Sequence, residues 1–398
     1  MGKNLIRTTN FFMDLFVKQK VPDIYAKIQF WNNECTLYEQ RRADRSVAPH
    51  LVHSIALIPD YFHLTVKDPN SITVKTFDQT NHGYAIMIES GFNIETYLKE
   101  QFGSNHRNIK KRHSRLETCF NINYKIFYGE LNEAEYHSLM KSLHTMLTRR
   151  FKQRGEINEK LLDWDELLDN TYAQIREKKA SLFVIYDHTE PIDISINYHF
   201  EKIMFGAVSS YDIDYAKFGL GSIEKIKLLE WCLSHDYKIM DFGYGDLEYK
   251  RLWSNYSYHF KYQVLYDPHS FYSKTIAKFE LLKLSLKEYL KSKKIDVYYN
   301  RVKAMGRSAR NKPNSKVPNH EYERARVLNL HGFDALKDVG VEQTGPFPIK
   351  SVLNDFLYTT MEHKNDVVIL AVEAEPGTFF LSGKKNIQKI TFDKTFST

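Results

Sequence analysis

Apolar and polar positions alternate most strictly in "PIDISINYHF". Ile192, Ile194, Ile196 and Tyr198 fall on one face, and Asp193, Ser195, Asn197 and His199 on the other. A period of two over that length predicts a β-strand. "SLFVIY" precedes it and "KIMFGAVSSY" follows, with turn chemistry at "DHTEP" and at Glu201-Lys202. The block predicts a meander of antiparallel strands with one face kept polar. Such a face is either a solvent-facing sheet or the wall of a cleft, and the pattern leaves both open.

The alternation stops at "DYAKFGLGS", where Gly219 and Gly221 interrupt the chain. Ser222 then opens a helix, "SIEKIKLLEWCLSHDY", with Ile223, Ile226, Leu229 (or Leu228) and Leu233 inward. "KIMDF" reads as a strand, "LEYKRLW" as a short helix after "GYGD", and "YHFKYQVLY" as another strand. Upstream, "HSIALIP", "SITVKTF" and "YAIMIE" read as strands, and "NIETYLKEQFG" as a helix stopped by Gly103. Ser104 is placed to cap the next helix, whose inward positions are Ile109, Leu116 and Phe120 and whose remaining surface carries Arg107, Lys110, Lys111, Arg112 and Arg115. Tyr136, Leu139, Leu143, Met146 and Leu147 give the following helix its apolar stripe, and Gly155 ends it; "NEKLLDWDELLDNTYAQIREKK" predicts a further helix or helix pair.

Downstream, Ser273 to about Lys294 predicts a long basic amphipathic helix, and Gly306 to His320 a polar linker. From Glu321 the pattern predicts a small α/β unit, with a helix at "FPIKSVLNDFLYTTME" and strands at "DVVILAVEA", "GTFFLSG" and "NIQKITF". There is no internal repeat. The resulting division is an N-terminal α/β half over 1–98, a central domain over 99–270, a basic helix over 271–304, a linker over 305–320 and a C-terminal unit over 321–398.

Composition narrows the class. A chain of 398 residues, 42% hydrophobic and 26% charged, is globular and long enough for two or three domains. A formal charge of +7 suits an anionic ligand, an anionic membrane surface or nucleic acid without selecting one. Three cysteines without a CxxC pair argue against a disulfide framework or structural zinc, so a reducing cytoplasm is the expected home and no metal is expected. The first residues read as a mature start: they lack an apolar signal core, and Ile6 stands where N-myristoylation needs Ser or Thr. No apolar run approaches the roughly 20 residues of a transmembrane helix.

A glycine turn leading into a helix presents backbone N–H groups and a positive dipole end to an anion, usually a phosphate. Twenty residues on, "DFGYGDLEYKRLW" gathers Asp241, Asp246, Tyr249 and Lys250 just beyond a strand. Asp246 is placed as the N-cap of the short helix. Tyr249 and Trp253, four apart, can pack together, and Lys250 and Arg251 can pair with Asp241.

With the strand-Gly-x-Gly-helix block over Phe218–Leu233 and the block over Asp241–Trp253, the chain from about Phe102 to Tyr266 resembles the GNAT acyltransferase superfamily. It looks like the branch of CelD/BcsL-type proteins of polysaccharide gene clusters, with kinship to the FemAB peptidoglycan aminoacyltransferases. The basic stretch "SNHRNIKKRHSRLE" is a looser match. Ala216 departs from the Gln or Arg that usually starts the family's loop. The resemblance implies a mixed, mainly antiparallel twisted sheet flanked by helices, with two GNAT-like halves as one arrangement. It also implies N-acyl transfer from acetyl-CoA or another acyl-CoA to an amino group of a sugar, small amine or glycan precursor.

In that reading Lys217, Phe218, Gly219, Leu220, Gly221 and Ser222 hold the co-substrate, Tyr249 or Lys250 handles the leaving thiolate, and Asp241 or His199 serves as base. The alternatives are FemAB-like transfer from an aminoacyl-tRNA, which alone makes nucleic acid a partner, and a non-catalytic binding protein on the same scaffold.

Overall fold

The computed structural model describes residues 5–30, 35–40, 52–155, 164–293, 322–327, 330, 336–345, 347–373 and 375–392. The expected linker over 305–320 lies outside the described residues. Two units divide the chain, each assembled from separate segments: unit 1 from 1–93, 197–207 and 231–312, and unit 2 from 94–196, 208–230 and 313–398.

Unit 1 is built on strands β1 (Ile6–Asn10), β4 (Val52–Pro59), β6 (Thr73–Met87), β11 (Ile239–Tyr244), β12 (Tyr256–Tyr266) and the first residues of β10 (Ile203–Tyr211). Their order is β1-β4-β12-β6-β11-β10. The β1/β4 and β10/β11 pairs are parallel and the others antiparallel. A small antiparallel sheet orders β3 (Thr36–Glu39), β2 (Tyr25–Phe30) and β5 (Phe62–Val66). Asn10 ends β1 and caps helix α1 (Phe11–Phe16) by accepting from the Met13 N–H. That cap aims Phe11, Phe12, Leu15 and Phe16 inward, where Phe12 meets Phe205 and Phe260 edge-on.

The basic helix is α8 (Phe271–Ser292). Its inner face packs Ala277 and Leu284 against Val52, Tyr262 and Val264. Both of its carboxylates turn inward as well. Glu280 accepts from the Ser54 hydroxyl, and Glu288 from Thr80 and the Tyr262 hydroxyl.

Unit 2 contains β7 (Ile122–Phe127), β8 (Ala180–Asp187) and most of β9 (Glu190–Phe200), in the sheet order β7-β8-β9-β10. Helices α2 (Ile94–Phe102), α3 (His106–Cys119), α4 (Glu133–Arg154) and α5 (Trp164–Arg176) belong to it. Gly155 ends α4 in the left-handed conformation, as the sequence predicts. Ser104 does not cap α3: it lies in a 3-10 turn over Gly103–Asn105, and no side chain caps the helix. In α6 (Leu220–Ser234) the buried position near the end is Cys232, and Leu233 is half-buried.

The C-terminal residues form their own antiparallel sheet, β13 (Tyr322–Val327), β17 (Ile387–Phe392), β16 (Thr378–Ser382), β15 (Val368–Val372) and β14 (Leu336–Asp338), with helix α9 (Ile349–Thr360). Side chains fasten this part to the rest of unit 2. Lys350 pairs with Asp212 at 2.9 Å and Glu190 at 2.6 Å, Lys364 pairs with Asp187, and the Arg115 guanidinium donates to the Tyr358 carbonyl. The fold is thus the expected mixed, mainly antiparallel α/β architecture flanked by helices, with a small C-terminal α/β unit.

Candidate active site

All four polar residues of the β9 face are buried, so the face is neither open to solvent nor exposed as a cleft wall. His199 holds the Tyr237 hydroxyl at 2.9 Å through Nδ1, and its ring lies 5.4 Å from that of Trp231. Burial, helped by the charge of His235, pushes its imidazole down to about 3, which keeps it neutral at pH 7. In unit 2, Asp193 is fully enclosed, and burial followed by the neighbouring Glu224 charge pushes its carboxyl well up.

The pairing between β10 and β11 runs only from Ile203–Ile239 to Phe205–Asp241. On the other side, the β11/β6 register shifts between Asp241 and Tyr244. The strand therefore loses regular pairing just beyond Asp241, and side chains take over. Asp241 is completely buried and accepts from the Tyr61 hydroxyl at 2.7 Å, the Tyr258 hydroxyl at 2.8 and 2.9 Å, and the Gly243 N–H at 2.6 Å. Burial raises its carboxyl to about 6, and the rise is limited by these donors and by the Lys250 charge. Gly243 has φ +69°, and a Cβ there would lie 2.9 Å from the Phe205 ring, so both backbone and space require glycine. Tyr258 reaches Asp241 only because residue 83 is also glycine: a Cβ there would lie 2.0 Å from the Tyr258 ring.

Lys250 and Tyr249, adjacent in helix α7 (Glu248–Trp253), point opposite ways. Lys250 is buried, and its Nζ donates to the Tyr244 carbonyl at 2.6 Å. Tyr249 is 45% exposed, whereas Trp253 is buried. Asp246 does not cap this helix. The N-cap is Leu247, without a side-chain bond, while Asp246 accepts from the Tyr84 hydroxyl at 2.8 Å and from Arg251 at 2.7 Å. The same bonds answer where Arg251 pairs: with Asp246, not Asp241. The Tyr84 bond, with the Arg251 charge, holds the Asp246 carboxyl below its ordinary value.

The glycine turn belongs to unit 2. Residues Ile213–Phe218 wind as a 3-10 turn, Gly219 reverses the chain at φ +71°, and α6 begins at Leu220. The Ser222 N–H closes the turn on the Gly219 carbonyl at 2.9 Å. Phe218 and Leu220 are core residues, with Phe218 packed edge-on against Phe120 and Tyr358. Lys217 is paired with Asp355 at 2.6 Å. Gly219, Gly221 and Ser222 are half-buried, and the Gly219 N–H is taken by the Ala216 carbonyl at 3.2 Å. A cation that the sequence alone placed only on a basic stretch lies beside the turn. The exposed Arg112 of α3 passes so close that a Cβ on Gly219 would lie 3.1 Å from its Cδ.

The structure thus brings Asp241 and Lys250 to the Tyr244 turn, sets Tyr249 outward beside them, and leaves His199 with Tyr237 and Trp231. Sequence reasoning missed Tyr61 and Tyr258. A lone Tyr in the turn between β4 and β5 and another in distant β12 carry no signal for such a meeting. Among the described residues, no group of three or more His, Cys, Asp or Glu could hold a metal ion.

Residues 103–251 match the family described as "Acetyltransferase (GNAT) domain", and this part of the chain is a GNAT-type acetyltransferase domain. It runs from just before α3 through the glycine turn into α7. No curated protein matches the chain. Solved structures with similarity include a conserved protein of unknown function from Bacteroides thetaiotaomicron (7% identity, TM-score 0.37, covering 55% of this chain and 70% of that one). L-PGS from Bacillus licheniformis is 10% identical, with TM-score 0.34 and coverage of 60% and 73%. FemX is 9% identical, with TM-score 0.35 and coverage of 45% and 61%.

Proposed function

We propose that the protein is an N-acyltransferase of the CelD/BcsL-like kind, moving an acyl group from an acyl-CoA thioester to an amino group of a sugar or small amine. The observation that carries this reading is the match of residues 103–251 to an acetyltransferase domain, because that stretch contains the glycine turn and the Asp241–Arg251 part of the second block. In the reaction the amine nitrogen attacks the thioester carbon, a C–N bond forms and the C–S bond breaks. The nitrogen gives up a proton and the leaving thiolate takes one.

The positive dipole end of α6, at the glycine turn and with Arg112 beside it, suits the pyrophosphate of the co-substrate. Lys217, engaged by Asp355, takes no part. Tyr249 is the exposed hydroxyl assigned to protonating the thiolate, and Lys250 the cation assigned to stabilising developing charge. Asp241 has no exposed atom, so it acts as a positioning residue through Tyr61, Tyr258 and the Gly243 N–H. His199, neutral and enclosed, stays outside proton transfer.

The test is amine-dependent thiol release. Mixed with acetyl-CoA and a panel of amino sugars and small amines, the protein is expected to release free thiol with at least one acceptor. Release that never depends on an acceptor, coupled with tight, salt-sensitive tRNA binding through the exposed Arg107 and Lys111, would instead favour the aminoacyl-tRNA reading.

A further inference from the structure

Helix α8 presents to solvent the residues that an amphipathic helix ordinarily hides. Phe271, Tyr272, Phe279, Leu282, Leu286, Tyr289 and Leu290 are all exposed, from 40% at Leu290 to 85% at Phe271. At about 100° per residue these seven fall within one arc of roughly 100°. The helix has 22 residues, so the stripe is about 30 Å long. Scattered exposed apolar side chains are ordinary; a continuous stripe of this length marks an interaction surface.

The charges around the stripe indicate what covers it. Lys274 and Lys278 border it on one side, Lys283 and Lys287 on the other, and all four are exposed. Lys293 sits over the Tyr289 ring at 5.8 Å. The only two carboxylates of the helix, Glu280 and Glu288, are bonded inward to Ser54, Thr80 and Tyr262, and each also pairs with a lysine of its own helix, Lys283 at 2.9 Å and Lys291 at 3.3 Å. The outward face is therefore apolar along its centre and cationic along both edges, with no acid on it. The sequence that follows remains basic, with seven Lys or Arg against two acidic residues between 294 and 321. A protein partner for an aromatic stripe needs complementary pockets and a mixed-charge rim. A sheet of anionic headgroups over acyl chains needs only this pattern: apolar side chains at the centre and lysines that reach up to phosphates.

The geometry points to α8 as an interfacial helix that lies flat on an anionic lipid surface, its aromatic stripe in the headgroup layer and its lysines on lipid phosphates. This stands whether or not the protein transfers acyl groups.

Co-sedimentation of the full chain with vesicles tests it. One set is phosphatidylcholine alone, the other contains about 30% phosphatidylglycerol, and each is run at low salt and at about 0.5 M salt. The protein is expected to pellet with the anionic vesicles, at least tenfold less with the neutral ones, and less at high salt. Phe279→Asp with Leu286→Asp, at exposed positions and so without effect on melting temperature, is expected to lower anionic-vesicle binding at least tenfold. Failure to bind either vesicle, or equal binding by the double variant, overturns the inference. So does a wild-type dimer that the same substitutions convert to monomer while vesicle binding is absent, because a second copy then covers the stripe.

Discussion

Asp241 carries the densest physical chemistry in the molecule, and its consequence is readable in pH. Its native carboxyl is raised to about 6 against an ordinary 3.8, because burial outweighs three hydrogen-bond donors and the Lys250 charge. The native state holds that proton more tightly than the unfolded chain does. Stability from this group is therefore full below about pH 4, falls as pH rises, and is lost above about pH 6; the difference is about 3 kcal/mol. Asp241→Asn abolishes this dependence. Urea unfolding at several values between pH 4 and 7 is expected to show the wild type losing about 3 kcal/mol more than the variant, whereas parallel profiles would deny the shift. His199 works with the opposite sign, since its lowered value destabilises the fold as pH drops below 6.5, but it is common to both proteins and cancels. From the sequence, Asp241 was legible as the end of a strand beside two glycines. Its environment was not, because Tyr61 lies 180 residues away and Tyr258 is 17 away on another strand.

Elements defined by strong periodicity were legible: the β9 alternation, the α4 stripe with its Gly155 stop, and the three last strands all form where the pattern put them. Helix starts were less so, since a capping residue is judged locally and the fold offers it rivals. Asp246 is the clearest case. A carboxylate that can accept from a tyrosine hydroxyl and pair with Arg251 gives up the weaker local bond to a helix N–H. The start of α7 is thereby left to Leu247, extended and more than half exposed. Leu247→Ser supplies the missing acceptor. It is expected to stabilise the protein by about 0.5–1 kcal/mol, read as a higher melting temperature, and an unchanged or lower value would contradict the cap geometry. The polar face of β9 failed for a related reason. Alternation reports two chemically different faces, but the Tyr237 and Trp231 partners that bury His199 come from later in the chain.

At the scale of the whole chain, the order of elements gave away the acetyltransferase domain, while the assembly of each unit from three separate segments did not show in composition. The C-terminal sheet, legible as an α/β unit, is tied into unit 2 by ion pairs that no sequence pattern announces. Lys350 is the clearest, joining Glu190 and the nearly buried Asp212. Lys350→Met removes one of the two cations on Asp212 and leaves Arg149 as the other. A loss of about 1–3 kcal/mol is expected in urea unfolding of the full chain. No loss would mean that the pairs merely decorate a contact held by apolar packing.

The glycine turn at the head of α6 is the proposed acyl-CoA site. Gly221 is the position to challenge: its φ is not left-handed, and an added Cβ meets nothing closer than the Lys225 amine at 4.0 Å. An aspartate in the first turn of a helix favours folding while repelling a phosphate. Calorimetric titration with acetyl-CoA is expected to give one site with a Kd between about 1 µM and 1 mM, the range of ordinary enzyme substrates. Gly221→Asp is expected to weaken it at least tenfold with no loss of melting temperature. Absence of binding by the wild type, or equal binding by the variant, would contradict the account.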